Sequence, residues 1–377
     1  MAEALHIRLT FPQRVIFGPG ALKVLGDEVG LLGKRPGIIA GQRSLRASGR
    51  LEEISNSLRA RGLEPLVFDG VEPEPTVQTV QRCVEFLRGS DADCAVAIGG
   101  GSVIDVGKAA ACIAALEGAA REYFEGRAIP GPGLPFVALP TTSGTGAEAT
   151  KNSVLRDPDR RLKTSLRNEH MIPRVAIVDP DLTLDLPPHL TAQTGMDAFT
   201  QALESHASLG ASPATDGLSV EAARLVGANL LAAYHNGRDA KARGLVSLGS
   251  LLAGMALNNA GVGLVHGMAH PIGALFHLPH GLVCAVLLPA VIEFNRPACE
   301  GKYRRIEEAL ALEDGDLSAF ARRLNADMEI APKLSALGVN QSPLDRIIAD
   351  TLPAGSTKAN PRKVGADEVR SVFMSLI

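Results

Sequence analysis

The chain has 377 residues, 46 % hydrophobic and 21 % charged, with a net charge of −3. That profile suits a folded globule large enough for two domains, and it excludes a disordered chain, a basic nucleic-acid footprint and electrostatic attraction to an anionic membrane. Trp is absent and aromatics make up 4 %, which leaves little for base stacking, while five scattered cysteines without a CxxC pair fit reduced thiols in the cytoplasm rather than a disulfide frame or a thiolate zinc site.

The first residues carry no basic stretch followed by an apolar one, so no signal peptide is expected. No apolar run approaches about 20 residues without a charge, Pro or Gly cluster, so none is expected to span a membrane. Residues 5–17 alternate early (Leu5, Ile7, Leu9, Phe11) and then read Val-Ile-Phe, which predicts one or two strands closed by Gly18-Pro19-Gly20. From 21 to 100 helix and strand alternate. Helices are expected over 21–31, over 50–61 (Leu51, Ile54 and Leu58 on one face) and over 76–88, with Thr76 as its cap. Strands are expected over 37–40, 65–68 and 94–98. Short apolar strands between amphipathic helices make a parallel sheet covered on both faces, a Rossmann-like α/β domain.

Ligands of such sheets sit beyond the strand carboxyl ends. After strand 94–98 come Gly99-Gly100-Gly101-Ser102 and a helix over 102–115 carrying Asp105 and Lys108. A glycine turn feeding a helix N-terminus suits a pyrophosphate, although the GxGxxG fingerprint is absent and turn geometry alone would also use glycines. A strand over 135–139 ends in Pro140-Thr-Thr-Ser-Gly-Thr-Gly-Ala-Glu148, whose hydroxyls and permissive backbone can line a dinucleotide or start a capped helix. Residues 150–166 read as a hairpin turning at Asp157-Pro158-Asp159, with Lys163 on the return arm, and 175–178 as a last buried strand.

Beyond residue 182 the strand pattern stops. Helices are expected over 191–206, 213–234, 238–260, 264–275, 280–294, 302–312, 316–330, 343–351 and 366–376. The Asp-Pro and Pro-Pro breaks at 181–187 divide an α/β domain, 1–182, from an all-α domain, 183–377.

Residues 264–281 hold four of the nine histidines, His266, His270, His277 and His280, without one charged side chain among them. On a helix, His266 and His270 leave the same face; Pro271 should bend or end that helix, and Pro279 should start another that returns His280 toward His266. Neutral imidazoles in an apolar wall suit a divalent metal, with hydrogen-bonded core histidines as the plainer reading. An oxygen ligand is available in Asp197, and Gln201, about 40° away around the same helix, can reach the same ion. His206, about 180° from Asp197, should point elsewhere, and Glu204 shares the face but sits about 10 Å further along.

Taken together, Arg14-Val-Ile-Phe-Gly-Pro-Gly20, Gly99-Gly-Gly-Ser-Val-Ile-Asp-Val-Gly-Lys108, Leu139-Pro-Thr-Thr-Ser-Gly-Thr-Gly-Ala-Glu148, Gly195-Met-Asp-Ala198, His266-Gly-Met-Ala-His-Pro271, Leu278-Pro-His-Gly281 and Asn360-Pro-Arg362 resemble the iron-containing (group III) alcohol dehydrogenases over nearly the whole chain. The resemblance implies a dehydroquinate synthase-like architecture. An α/β domain binds NAD or NADP, an all-helical domain holds a divalent metal (Fe²⁺, or Zn²⁺), the active site lies in the cleft between, and the protein is a homodimer. Carried over by position, Asp197, His266 and His280 match metal ligands, His270 matches the histidine beside the nicotinamide, and Gly100, Gly101, Ser102, Thr141, Thr142 and Lys163 match cofactor-holding positions. There are two departures. Gln201 stands where the family usually has a third histidine ligand, and an amide oxygen is a weaker, harder ligand than imidazole. After the first parallel strand, Gly41-Gln42-Arg43 replaces an aspartate that would repel a 2′-phosphate, which accommodates NADP.

The expected reaction is hydride transfer between an alcohol and an aldehyde or ketone, with a metal as Lewis acid and His270 relaying the proton. The alternatives are a metal-independent reductase of the maleylacetate type on the same fold, a metallohydrolase using the His/Asp set on water, and a catalytically inactive binding protein.

Overall fold

The computed structural model describes residues 7–159 and 162–377. The chain forms two compact units. One comprises Pro12–Thr142 and Ala147–Asp185; the other comprises Leu186–Ile377, the segment Ser143–Gly146 and the described residues before Pro12.

In the first unit the elements run β1 (Arg14–Phe17), α1 (Leu25–Gly30), β2 (Pro36–Gly41), α2 (Ser44–Ala47), α3 (Arg50–Arg59), β3 (Leu66–Val71), α4 (Val77–Gly89), β4 (Cys94–Gly99), α5 (Gly101–Ala114), α6 (Ala120–Phe124), β5 (Phe136–Pro140), β6 (Asn152–Asp157), β7 (Leu162–Arg167) and β8 (Val175–Val178). Six of the strands pair in parallel in the order β1-β8-β5-β4-β2-β3, and β6 and β7 form the separate antiparallel hairpin. Successive side chains of a strand point to opposite faces, and the core divides accordingly. Ile38, Val96 and Ile98 pack with Leu51, Ile54 and Leu58 of α3. Ile39, Ala95 and Ala97 pack with Val80 and Val84 of α4 and Ile104 of α5. Thr76 caps α4 as expected, its hydroxyl accepting from the Thr79 amide at 3.2 Å.

The first strand is shorter than its alternation suggests. Residues 7–12 adopt no regular structure, and pairing with β8 begins at Arg14↔Val175. Residues 5 and 6 lie outside the described part. Alternation makes a strand only where an edge is there to receive it; here Asn258 and Asn259 take the Thr10 carbonyl, at 2.8 and 3.1 Å.

A buried charged cluster ties α5 to the segment after β5. Lys108, 1 % exposed, donates to the carbonyls of Ala147 (2.6 Å) and Thr150 (3.2 Å) and lies 3.3 Å from Asp105. Glu148 is buried beside it, and burial raises its carboxyl to about 7, against smaller lowering effects of a backbone hydrogen bond and Lys108. Between its unfolded value near 4.5 and about 7 the native state keeps a proton that the unfolded chain has lost, so stability falls as pH rises through that window. Glu148→Gln removes the loss. The variant's unfolding free energy relative to wild type should rise between about pH 5 and pH 8 by on the order of 3 kcal/mol. Parallel stability–pH curves for the two proteins would refute this.

The second unit holds α7 (Pro188–Ala207), α8 (Pro213–His235), α9 (Ala240–Ala260), α10 (Leu264–Phe276), α11 (His280–Ala309), α12 (Leu317–Asp327), α13 (Leu344–Thr351), α14 (Gly355–Ala359) and α15 (Ala366–Met374) around one apolar core. The helix expected over 264–275 is present and runs through Pro271: proline removes one backbone donor, but Pro271 and Ile272 are both buried in the helical core, and the helix runs on until His277 turns left-handed at φ 54°. The helices expected over 280–294 and 302–312 are both present within the span of α11, and the backbone leaves helical geometry between them at Cys299 (φ −143°, ψ 31°), two residues after Pro297. By length and mean hydropathy (1.5) α11 could cross a bilayer, but 61 % of that apolar window is buried inside the protein.

The segment Ser143–Gly146 packs on the helices rather than leaving all its hydroxyls to a ligand. Ser143 Oγ is 2.7 Å from Ser247 Oγ. At Gly146 (φ +58°) a Cβ would come within 2.4 Å of the Gly254 Cα, so this glycine is required by backbone sign and by contact alike.

Candidate active site

Three helices bring the predicted metal ligands together. α7 carries Asp197 and, one turn on, Gln201; α10 carries His266 and His270; α11 begins at His280. α9 and α10 meet at a bend of 102°, which swings the histidine helix away from the line of α9. Gly281 lets α11 start against α7: a Cβ there would lie 2.1 Å from the Gln193 carbonyl and 3.3 Å from the Asp197 Cβ.

His266 Nε2 stands 3.5 Å and His280 Nε2 3.8 Å from Asp197 Oδ1. Atoms each about 2.1 Å from a tetrahedral ion lie about 3.4 Å apart, so the spacing is that of groups arranged around a cation. Cys284, one turn after His280 on α11, joins them. Ligand atoms of Asp197, His266, His280 and Cys284 all fall within 4.8 Å of one another, the one such group among the described residues. Asp197 Oδ1 and Gln201 Oε1 are buried without a hydrogen-bond partner. Buried oxygens normally have one, and a cation supplies what these two lack. The donor set therefore fits a divalent metal ion.

Glu204 fixes the orientation of His266. Its carboxylate accepts from the Val265 amide and from His266 Nδ1, both at 2.6 Å, which turns Nε2 toward Asp197. Burial alone would depress the imidazole; the neighbouring carboxylates of Asp197 and Glu204 outweigh it and raise the His266 pKa to about 10. Without a cation the ring is thus an imidazolium held between two carboxylates, and an incoming ion must displace its Nε2 proton. Asn360 in turn accepts from the Leu264 amide at 3.1 Å and sets the start of α10.

His270 stacks on His280 with centroids 5.0 Å apart and planes at 26°. His206 points elsewhere as expected, to Ser219 and Asp216, and His277 is the exposed cap of α10. Sequence reasoning missed Glu204 as a partner of His266, although it lies seven residues after Asp197 on one helix face. It missed Cys284 too, although the i,i+4 spacing from His280 was there to be read. Glu204→Gln keeps the acceptor but loses its charge. It should weaken Zn²⁺ or Co²⁺ binding about 10- to 100-fold, measured by competition with a chelator. An unchanged affinity would show that Glu204 only holds the backbone.

In the α/β unit the glycine positions converge as well. Gly41 ends β2, Gly99 ends β4, and Pro140 pairs with Gly99 at the end of β5, so residues 41, 100–102 and 141–142 follow the carboxyl ends of three adjacent strands. From β2 the chain proceeds to one side of the sheet and from β4 to the other, and this reversal of strand order is where such sheets bind nucleotides. Gly100 is the N-cap of α5 and no side chain caps that helix, leaving its first amides for an anion. Lys163 is on β7, its Nζ 2.8 Å from Glu74.

Comparison with known proteins identifies the family. The profile of the iron-containing alcohol dehydrogenases matches residues 12–180, and that of the C-terminal part of the Fe-containing alcohol dehydrogenase family matches residues 191–377. The 1,3-propanediol dehydrogenase of Citrobacter freundii is 37 % identical over 373 residues, 96 % of either chain. The NADPH-dependent butanol dehydrogenase of Clostridium saccharobutylicum is 34 % identical over 97 % of either chain. A solved 1,3-propanediol oxidoreductase superposes with a TM-score of 0.95 at 35 % identity, over 99 % of this chain and 100 % of that one. The chain belongs to the iron-containing alcohol dehydrogenase family. It is an NAD(P)-dependent oxidoreductase that transfers a hydride between an alcohol and a carbonyl compound, which sets the hydrolase and inactive-protein readings aside.

Proposed function

We propose that the protein interconverts alcohols and the corresponding aldehydes or ketones, takes NADP as well as NAD, and does so with a divalent ion held by Asp197, His266 and His280. The observation that carries this reading is the pair of buried, unpartnered oxygens, Asp197 Oδ1 and Gln201 Oε1, beside two imidazoles. It also favours a metal-dependent enzyme over the maleylacetate-type reductase, which has no use for such a cluster. An alcohol or aldehyde substrate is supported by the names of the relatives, which include 1,3-propanediol, butanol and long-chain-alcohol dehydrogenases. When bound, the ion supplies Lewis acidity toward the substrate oxygen.

The chain's own residues do the rest. Oxidation of an alcohol by NAD(P)⁺ yields a carbonyl, NAD(P)H and one proton. His270, half-buried beside His280, takes that proton on its imidazole and passes it toward solvent. Glu204 keeps His266 in the orientation that turns Nε2 inward. The backbone of residues 100–102, with Thr141 and Thr142, holds the cofactor phosphates, and Lys163 contributes charge. Gly41 and the exposed Arg43 leave room and a cation for a 2′-phosphate.

The exposed apolar side chains Ile7, Leu9, Phe11 and Phe17 support a homodimer, and five buried, scattered cysteines support a reducing compartment, the cytoplasm. The test is a panel of alcohols and aldehydes with both cofactors, before and after chelation. Activity should disappear with the metal and return with it. Undiminished reduction by the chelated protein would overturn the reading in favour of the metal-independent rival.

A further inference from the structure

We propose that Cys284 is a metal ligand: its sulfur takes the coordination position that Gln201, an uncharged amide, fills poorly, and it tilts the centre from Fe²⁺ toward Zn²⁺. The inference rests on the reading that Asp197, His266 and His280 bind a divalent cation. Cys284 is fully buried on α11, one helical turn after His280, with Sγ 3.5 Å from His280 Nε2 and within 4.8 Å of the chosen ligand atoms of Asp197 and His266. The 3.5 Å between Sγ and Nε2 is the separation expected of a sulfur and a nitrogen sharing one tetrahedral ion. The site also contains the unpartnered Oδ1 of Asp197, 3 % exposed.

Charge argues in the same direction. Glu204 is engaged with His266 Nδ1 and the Val265 amide, so among the inward-facing groups only Asp197 supplies a negative charge. A divalent ion with one carboxylate and neutral ligands leaves a net positive charge in an apolar wall, which is costly. On binding, the Cys284 S–H bond breaks, the proton passes to solvent and a sulfur lone pair forms the metal bond; no electron changes hands. The resulting thiolate completes neutralisation, and a soft sulfur donor in a four-ligand N/O/S set favours Zn²⁺. Two helices thus share the work: α7 offers the weak ligand Gln201, and α11 provides Cys284.

The test uses the full-length protein, stripped of metal and titrated anaerobically with Co²⁺, whose thiolate complexes absorb in the near ultraviolet by ligand-to-metal charge transfer. The expected result is one equivalent of Co²⁺ with visible ligand-field bands and a charge-transfer band that Cys284→Ala abolishes. In equimolar Zn²⁺ and Fe²⁺ the variant's Zn:Fe occupancy should fall roughly tenfold relative to wild type. One bound equivalent without the charge-transfer band in wild type overturns the assignment of Cys284 and leaves the metal site standing. No stoichiometric Co²⁺ binding overturns both. Should Cys284→Ala fail to fold, the wild-type band alone decides.

Discussion

Asp197→Ala should leave a folded protein that no longer retains metal and whose kcat/KM falls by about three orders of magnitude or more. Among the described residues, Asp197 is the one acid whose oxygen faces both His266 Nε2 and His280 Nε2, at 3.5 and 3.8 Å, and that oxygen has no hydrogen-bond partner. Removing it takes away the hard, charged ligand and leaves imidazoles and a thiol. Loss of about 4 kcal/mol of Lewis-acid stabilisation corresponds to roughly a thousandfold in rate. The fold should survive because Oδ1 makes no hydrogen bond that the core would miss. Metal analysis of the purified variant, its kinetics in added Zn²⁺ and Fe²⁺, and its circular dichroism together decide the matter. A full equivalent of metal with unaltered turnover would mean that Asp197 is not the centre's oxygen ligand.

Gly41→Asp should cut kcat/KM with NADP by about a hundredfold while changing that with NAD by no more than about threefold. The site admits the substitution. A Cβ at Gly41 would meet Val103 Cγ2 at 3.6 Å and the Val71 carbonyl at 3.7 Å, both ordinary contacts, and the backbone is not in the left-handed region. What changes is charge at the end of β2. A carboxylate there opposes the dianionic 2′-phosphate, a like-charge contact worth several kcal/mol, but can accept a hydrogen bond from the free ribose hydroxyl of NAD. Steady-state kinetics with each cofactor at a fixed alcohol read the ratio. Equal losses with both would show that residue 41 shapes the cofactor site without sensing the 2′ position.

The locally encoded parts of this protein were legible in its residues. Apolar side chains recurring every second residue, or every third and fourth, set out the parallel sheet, its covering helices and the helical second half, because those periods follow from backbone geometry alone. The same local geometry put His266 beside His270, Asp197 beside Gln201 and glycines beyond the strand ends. The extent of β1 was not local. Residues 7–12 alternate as a strand would, and only the edge offered by β8 decides that pairing starts at Arg14. The break inside α11 was local: the stretch around Pro297 separates two helices, and the backbone leaves helical geometry at Cys299.

The centre itself divides along the same line. The chain order determined that an acid, a glutamine and a run of histidines lie on helices. It did not determine that Glu204 reaches across to His266, that Gly281 lets α11 close on α7, or that Cys284 faces the same space as Asp197. Those facts depend on how three helices cross, which is set by side-chain volume at their contacts rather than by spacing along any one of them. Residue identity fixed which donors were available, and tertiary packing chose which of them meet.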